Sequence, residues 1–151
     1  MKKSIDKERK QVNITLMVQA KRLFKIRHPL MDNVEFLCKL SDDNGGNPGS
    51  DVSLFTSQVY INTNVRWRAV CDDDYEVAID SIIQKGQGND KIFFPTIAVP
   101  GKRGSVLAKV RNKKDLEKLI QTYSINLFVW PKDHDDLKKA YTIDPKLQAN
   151  S

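Results

Sequence analysis

Apolar and polar residues alternate along much of this chain with a period of two, which is typical of strands buried on one face only. In residues 12–19 every second position is apolar, and most positions between them are polar. Comparable alternation occurs in residues 34–40, 59–61, 65–69, 75–83, 106–110, 123–129 and 141–143. We therefore predict about seven or eight short strands, mainly antiparallel.

Helical spacing is clearest in one segment. Leu116, Leu119 and Ile120 are spaced as on one face of a helix, so residues 113–121 predict a short helix. In residues 20–31, apolar side chains cluster on both sides of Pro29. This segment fits either a loop or a short helical turn. The other connections, above all residues 41–51, are rich in Gly, Asp, Asn and Pro and predict turns and loops.

Many short strands with frequent turns and no long helix favour an all-β fold. We predict a β-sandwich, with a closed barrel as the alternative. The chain has 151 residues, the size of one ordinary domain. We assign residues 11–151 to that domain. Residues 1–10 hold five basic and two acidic residues, and we expect them to form a disordered basic tail.

The strand at residues 65–69 separates apolar from charged side chains, because alternate residues point to opposite faces. The residues predicted in the core, from this strand and the next, are Val65, Trp67, Tyr75 and Val77. The residues predicted to contact a ligand or another subunit are Arg66, Arg68, Trp130 and Tyr141. An aromatic ring that stacks on a base would lie beside the arginines, whereas Trp67 lies behind them, so this strand does not favour nucleic acid.

The same region resembles a known family. Val-Arg-Trp-Arg-Ala at 65–69, a short polar turn and Tyr-Glu-Val-Ala-Ile at 75–79 are similar to a strand–turn–strand segment of the bacterial PixA/AidA inclusion-body protein family. Residues 143–148 also resemble the ends of small proteins from Bacteroidetes-type bacteria. The resemblance implies a β-sandwich and a bacterial cytoplasmic protein that accumulates in the cell. It carries over no catalytic residue, and loop 41–51 and the basic tail depart from the family.

Charge adds one alternative function. The chain has 25 basic and 19 acidic residues, a formal net charge of +6. Half of this excess lies in residues 1–10, and both signs are interspersed along the rest, as on a solvated surface. Nucleic-acid or anionic-surface binding through the tail is therefore an alternative that the sequence does not favour. No apolar run is long enough for a membrane span and no secretory signal is visible, so we expect no membrane partner.

Few residues are suited to catalysis or metal binding. His28 and His134 lie in predicted loops, and the sequence has no nucleophile-elbow motif. Cys38 and Cys71 lie on or beside apolar strand faces and fit free thiols better than a disulfide. No zinc-ligand spacing or EF-hand loop is present, and residues 101–105 lack the spacing of a phosphate-binding loop. We predict no enzymatic activity, no metal and no cofactor.

These observations favour a non-enzymatic β-sandwich that acts by self-association or binding. We expect a homo-oligomer, in which an edge strand at residues 92–94 or 141–143 pairs between subunits. A carbohydrate-binding module that uses the Asp-rich and Asn-rich loops is a further alternative, and the identity of any small ligand or glycan is open.

Overall fold

The secondary structure is known from a computed structural model that describes residues 11–27, 31–44, 51–72, 74–85, 97–101 and 104–150. Over these residues the chain forms ten strands and two short α-helices. The strands are β1 Val12–Val18, β2 Cys38–Asp42, β3 Thr56–Tyr60, β4 Asn64–Cys71, β5 Tyr75–Gln84, β6 Ile97–Ala98, β7 Val106–Lys109, β8 Ile120–Pro131, β9 Lys139–Ile143 and β10 Lys146–Asn150. The helices are α1 Ala20–Phe24 and α2 Met31–Phe36, and 3-10 turns occupy Val52–Leu54, Lys114–Leu116 and Asp135–Leu137.

The strands form two sheets. The front sheet has the order β2-β1-β4-β7, and the back sheet has the order β3-β10-β8-β5-β6, with β9 also paired to β8. Pairing is antiparallel except between β1 and β4 and between β10 and β3. The long strand β8 pairs with β5 on one side and with both β9 and β10 on the other. The prediction of a mainly antiparallel β-sandwich is confirmed, and the barrel alternative is wrong.

The core lies between the two sheets and follows the period-two pattern. The inward-facing positions of β1, which are Val12, Ile14, Leu16 and Val18, are at most 4% exposed. Val65 and Trp67 of β4 are fully buried opposite the back sheet, while Tyr75 and Val77 are half-buried and pack against the core. Burial of one such large apolar side chain stabilises the fold by about 1.5–3 kcal/mol, so alternation along four or five strands suffices to specify which face is inside.

Two predicted elements are wrong. Residues 113–121 form a 3-10 turn and the start of β8 instead of a helix, because Lys118 has a positive φ of 65° that interrupts helical geometry. Residues 34–40 were predicted as one strand but divide between α2 and β2. Val34 and Leu37 are buried three positions apart, as on a helix, whereas Phe36 is 73% exposed.

The described residues include some of the predicted connections and edge strands but not all of them. Residues 20–24 form α1, as the helical-turn interpretation of this segment predicted. The basic tail 1–10, residues 45–50 of the predicted loop and the predicted edge 92–94 lie outside the described residues. The other predicted edge, 141–143, is part of β9, and α2 packs beside this strand. Within the described ranges, neither α-helix has the length and apolar character that a membrane crossing requires.

Candidate binding face on the four-stranded sheet

The outer face of the front sheet carries the side chains that alternate with its core positions. Because β1 lies between β2 and β4, residues from three distant parts of the chain meet in register on this face. Three rows cross it: Asn13 and Arg66; Ser41, Thr15 and Arg68; and Lys39, Met17 and Val70. Arg66 and Arg68 are both exposed here, as the sequence predicted for these two residues.

The first two rows border an open cleft of about 520 Å³, which we call the arginine cleft. Its lining residues are Asn13, Thr15, Ser41, Asp42, Asp43, Arg66 and Arg68. The two guanidinium groups stand on β4, and the carboxylate of Asp43 stands just beyond the end of β2. The cleft therefore has a cationic end and an end rich in hydrogen-bond acceptors.

Hydrogen bonds fix the side chains of the arginine cleft. The Nε–H of Arg68 donates to Oγ1 of Thr15 at 3.3 Å. Asp43 accepts from the backbone N–H of Asn13 at 2.9 Å and from its side-chain Nδ2 at 2.7 Å. Asp42 accepts a hydrogen bond from the hydroxyl of Ser57 on β3 of the back sheet. Asp43 is thus held at the β2 side of the cleft, away from the arginines.

The third row forms an apolar strip at the other end of the face. Met17 and Val70 are paired in register on β1 and β4, with exposed fractions of 54% and 39%. Lys39 flanks the pair on the β2 side, and Asp72 flanks it just after β4. Asp72 accepts a hydrogen bond from the backbone N–H of Ala20 at 2.8 Å, which fixes its position. We call Met17, Val70, Lys39 and Asp72 together the Met17–Val70 strip.

The two other predicted contact residues, Trp130 and Tyr141, lie on the back sheet, away from this face. Trp130 is half-buried, and the ammonium group of Lys138 sits 4.7 Å from the centroid of its ring, a cation–π contact. Tyr141 is only 5% exposed, and its hydroxyl donates to the carbonyl oxygen of Leu23 at 3.3 Å. The prediction of Tyr141 as a surface contact is corrected: its ring belongs to the core because its β9 position faces inward.

The thiol of Cys38 is a poor nucleophile in this fold. Neither Cys38 nor Cys71 is part of a disulfide. Burial, with a smaller contribution from the nearby charge of Glu35, raises the pKa of Cys38 to about 12. The thiol of Cys71 donates to the carbonyl oxygen of Tyr75 at 3.2 Å. His134 is exposed, and His28 lies outside the described residues. In the part of the chain that the structure describes, no three His, Cys, Asp or Glu side chains cluster as metal ligands would.

Sequence reasoning missed Met17, Val70, Lys39 and the polar partners of the arginines. Met17 did carry a clue, since it is an apolar residue at a position of β1 where its neighbours Asn13 and Thr15 are polar. Met17 lies beside Val70 because β1 pairs with β4 in parallel. The local pattern of residues contains no information on that pairing.

Comparison with known proteins concerns the fold. No protein-family model and no curated protein matches the chain. Among solved structures, it resembles the crystal structure of the inclusion body protein PixA from Burkholderia cenocepacia J2315, with a TM-score of 0.63 over 93% of this chain and 95% of that one. The two sequences are 9% identical. The resemblance inferred from residues 65–79 is therefore confirmed as a structural one: the chain is similar in fold to the inclusion body protein PixA.

Proposed function

We propose that this protein is a non-enzymatic, cytoplasmic β-sandwich of bacterial type that acts by self-association, and that copies meet through the Met17–Val70 strip. The observation that carries the proposal is the register pair of Met17 and Val70, two large apolar side chains exposed side by side on a sheet face. Contiguous exposed apolar surface is typical of association sites, whereas single exposed apolar residues are ordinary. Leu107, 48% exposed on β7, lies on the same face but in register with Arg66, outside the strip.

The charges beside the strip favour a second copy of the chain as the partner. Lys39 lies at the β2 side and Asp72 at the β4 side. A two-fold axis that runs along the strands in the contact plane places Lys39 of each copy over Asp72 of the other. Self-complementary contacts of this kind are the basis of two-fold interfaces. The apolar pair then supplies the desolvated centre of the contact, and the charged groups supply its rim.

Similarity in fold to an inclusion body protein supports the same proposal. A protein that accumulates in the cell reaches a high local concentration, and a modest contact face is well populated under those conditions. The face described here is small, so we expect a weak contact that depends on concentration.

The test compares the molar mass of the wild-type protein and of Val70→Asp over a range of concentrations, by size-exclusion chromatography with light scattering. We expect the wild-type mass to rise with concentration and that of Val70→Asp to remain at the monomer value, because a carboxylate is costly to desolvate at the contact centre. Ile120→Asp is the matched control, since Ile120 is 53% exposed on a strand of the other sheet. A monomeric wild type, or equal masses for wild type and Val70→Asp, contradicts the proposal.

A further inference from the structure

The arginine cleft holds two cations that no described carboxylate neutralises. Over the described ranges, no ion pair joins Arg66 or Arg68 to an acidic side chain. The arginines are two residues apart on one strand, so their side chains leave the sheet about 7 Å apart on the same face. A pair of guanidinium groups in this arrangement matches an oxyanion, which each group can bind through two parallel N–H donors.

The hydrogen bond of Arg68 to Thr15 contributes to this arrangement. It engages the Nε–H of Arg68, and the terminal nitrogens of the guanidinium retain their donors for a ligand. The bond also restricts a long side chain that would otherwise lose conformational freedom on binding. Arg68 is therefore partly preorganised for an anion.

The opposite end of the arginine cleft suits hydroxyl groups. Asn13, Ser41 and Asp43 line the cleft on the β1 and β2 side, and an amide, a hydroxyl and a carboxylate together offer both donors and acceptors. Asp43 is held in place by its two hydrogen bonds from Asn13. A negative group would be repelled at this end, so a ligand has one orientation, with its anion over β4 and its hydroxyls over β2.

We propose that the arginine cleft binds a small hydroxylated anion, a sugar that carries a phosphate or a carboxylate. A volume of about 520 Å³ is within the range of small-molecule sites. Arg66 and Arg68 hold the anionic group, and Asn13, Ser41 and Asp43 hold the ring hydroxyls. Nucleic acid is disfavoured because the aromatic residue of this strand, Trp67, is buried on the other side of the sheet and offers no surface on which a base could stack.

Isothermal titration calorimetry at low salt tests the proposal with four probes: inorganic phosphate, glucose 6-phosphate, glucuronate and glucose. We expect glucose 6-phosphate or glucuronate to bind more tightly than inorganic phosphate, and glucose not to bind. The tighter of the two acidic sugars identifies whether the anion is a phosphate or a carboxylate. The titration is repeated in a neutral Val70→Asn variant, which removes the apolar contact without placing a carboxylate beside Arg68, so the result is independent of the proposed function.

Variants assign the binding to the arginine cleft. Arg66→Gln and Arg68→Gln are each expected to lower the affinity for the acidic sugar by at least about tenfold, because each removes a charge-assisted hydrogen bond. Arg22→Gln, an exposed arginine of α1, is the control and should bind like the wild type. Asp43→Asn should reduce the ratio between the affinity for the acidic sugar and the affinity for inorganic phosphate. The proposal is overturned by absence of binding up to about 10 mM ligand, by unchanged affinity in the double arginine variant, or by equal affinity for phosphate and both acidic sugars.

Discussion

The indole N–H of Trp67 donates a hydrogen bond of 3.0 Å to the hydroxyl oxygen of Tyr123, across the space between the two sheets. Trp67 belongs to β4 of the front sheet and Tyr123 to β8 of the back sheet. Their ring centroids are 5.7 Å apart with planes inclined at 58°, and each side chain is 1% exposed. This pair therefore joins the sheets by packing and by a polar contact that has a defined geometry.

Removal of this hydrogen bond should destabilise the protein. Tyr123→Phe keeps the ring but loses the hydroxyl, and we expect the free energy of unfolding to fall by about 1–3 kcal/mol because the bond is buried. Urea denaturation measures the change. Tyr60→Phe is the control: its hydroxyl bonds to Asn44 in a half-buried position, where water can replace the lost contact. A loss for Tyr60→Phe as large as that for Tyr123→Phe would contradict the account.

Alkaline pH should unfold the protein through its buried tyrosines. Burial raises the pKa of Tyr123, and it raises the pKa of Tyr141 in the same direction. Tyrosine in the unfolded chain ionises near pH 10, so the stability contributed by the neutral phenols is present below that pH and is lost as the pH rises above it. The chain has four tyrosines. Tyrosinate absorbance and circular dichroism, followed together, should show that Tyr123 and Tyr141 ionise only as the fold is lost. Ionisation of all four before unfolding would refute this expectation.

The two cysteines should differ in reactivity. The raised pKa and burial of Cys38 keep its thiol protonated and inaccessible, whereas Cys71 is half-buried near the end of β4. At pH 8 we expect a thiol reagent to label one cysteine in the native protein and the second only in denaturant. In Cys71→Ser, native labelling should disappear. Rapid labelling of Cys38 in that folded variant would contradict the core position of this residue.

Glycine at position 118 should stabilise the turn before β8. Lys118 has a φ of 65°, and its backbone N–H donates to the carbonyl oxygen of Ala149 at 2.6 Å. This conformation costs a residue with a side chain about 1–2 kcal/mol, more than the added flexibility of glycine in the unfolded chain. We expect Lys118→Gly to raise the free energy of unfolding by about 0.5 kcal/mol.

The matched control for this prediction is Lys114→Gly, an exposed lysine in the preceding 3-10 turn. At position 114 glycine relieves no strain, so we expect the free energy of unfolding to fall by about 0.5–1 kcal/mol. Thermal unfolding of the two variants measures the contrast. The same sign for both substitutions would show that the backbone conformation of Lys118 is not strained.

Strands could be predicted from the sequence where one face is fully apolar, as in β1 and β8, because burial and alternation then give the same assignment. The helix at residues 113–121 was wrong since two turns are too short to be stable on spacing alone, and Ile120 instead begins β8. Residues 34–40 show the converse failure: Val34 is buried on α2, Leu37 is buried in the turn that follows, and Cys38 and Leu40 are buried on β2.

The candidate face was predictable only in part. Alternation on β4 was enough to place Arg66 and Arg68 together and opposite to Trp67. Their partners Asn13, Ser41 and Asp43 come from segments more than twenty residues away, and only the order of strands in the sheet brings them to one cleft. Tyr141 was misassigned because alternation places a residue on one of two faces without showing which face is covered.

Hydroxyl-radical footprinting of Met17 tests the central claim, self-association through the Met17–Val70 strip, most directly. Methionine side chains oxidise readily where solvent reaches them, and Met17 is 54% exposed in the single chain. We predict rapid oxidation of Met17 in dilute protein and protection at concentrations where the mass rises, with Ile120 and Leu137 labelled equally in both. Equal oxidation of Met17 in dilute and in associated protein would contradict the claim and place the contact elsewhere.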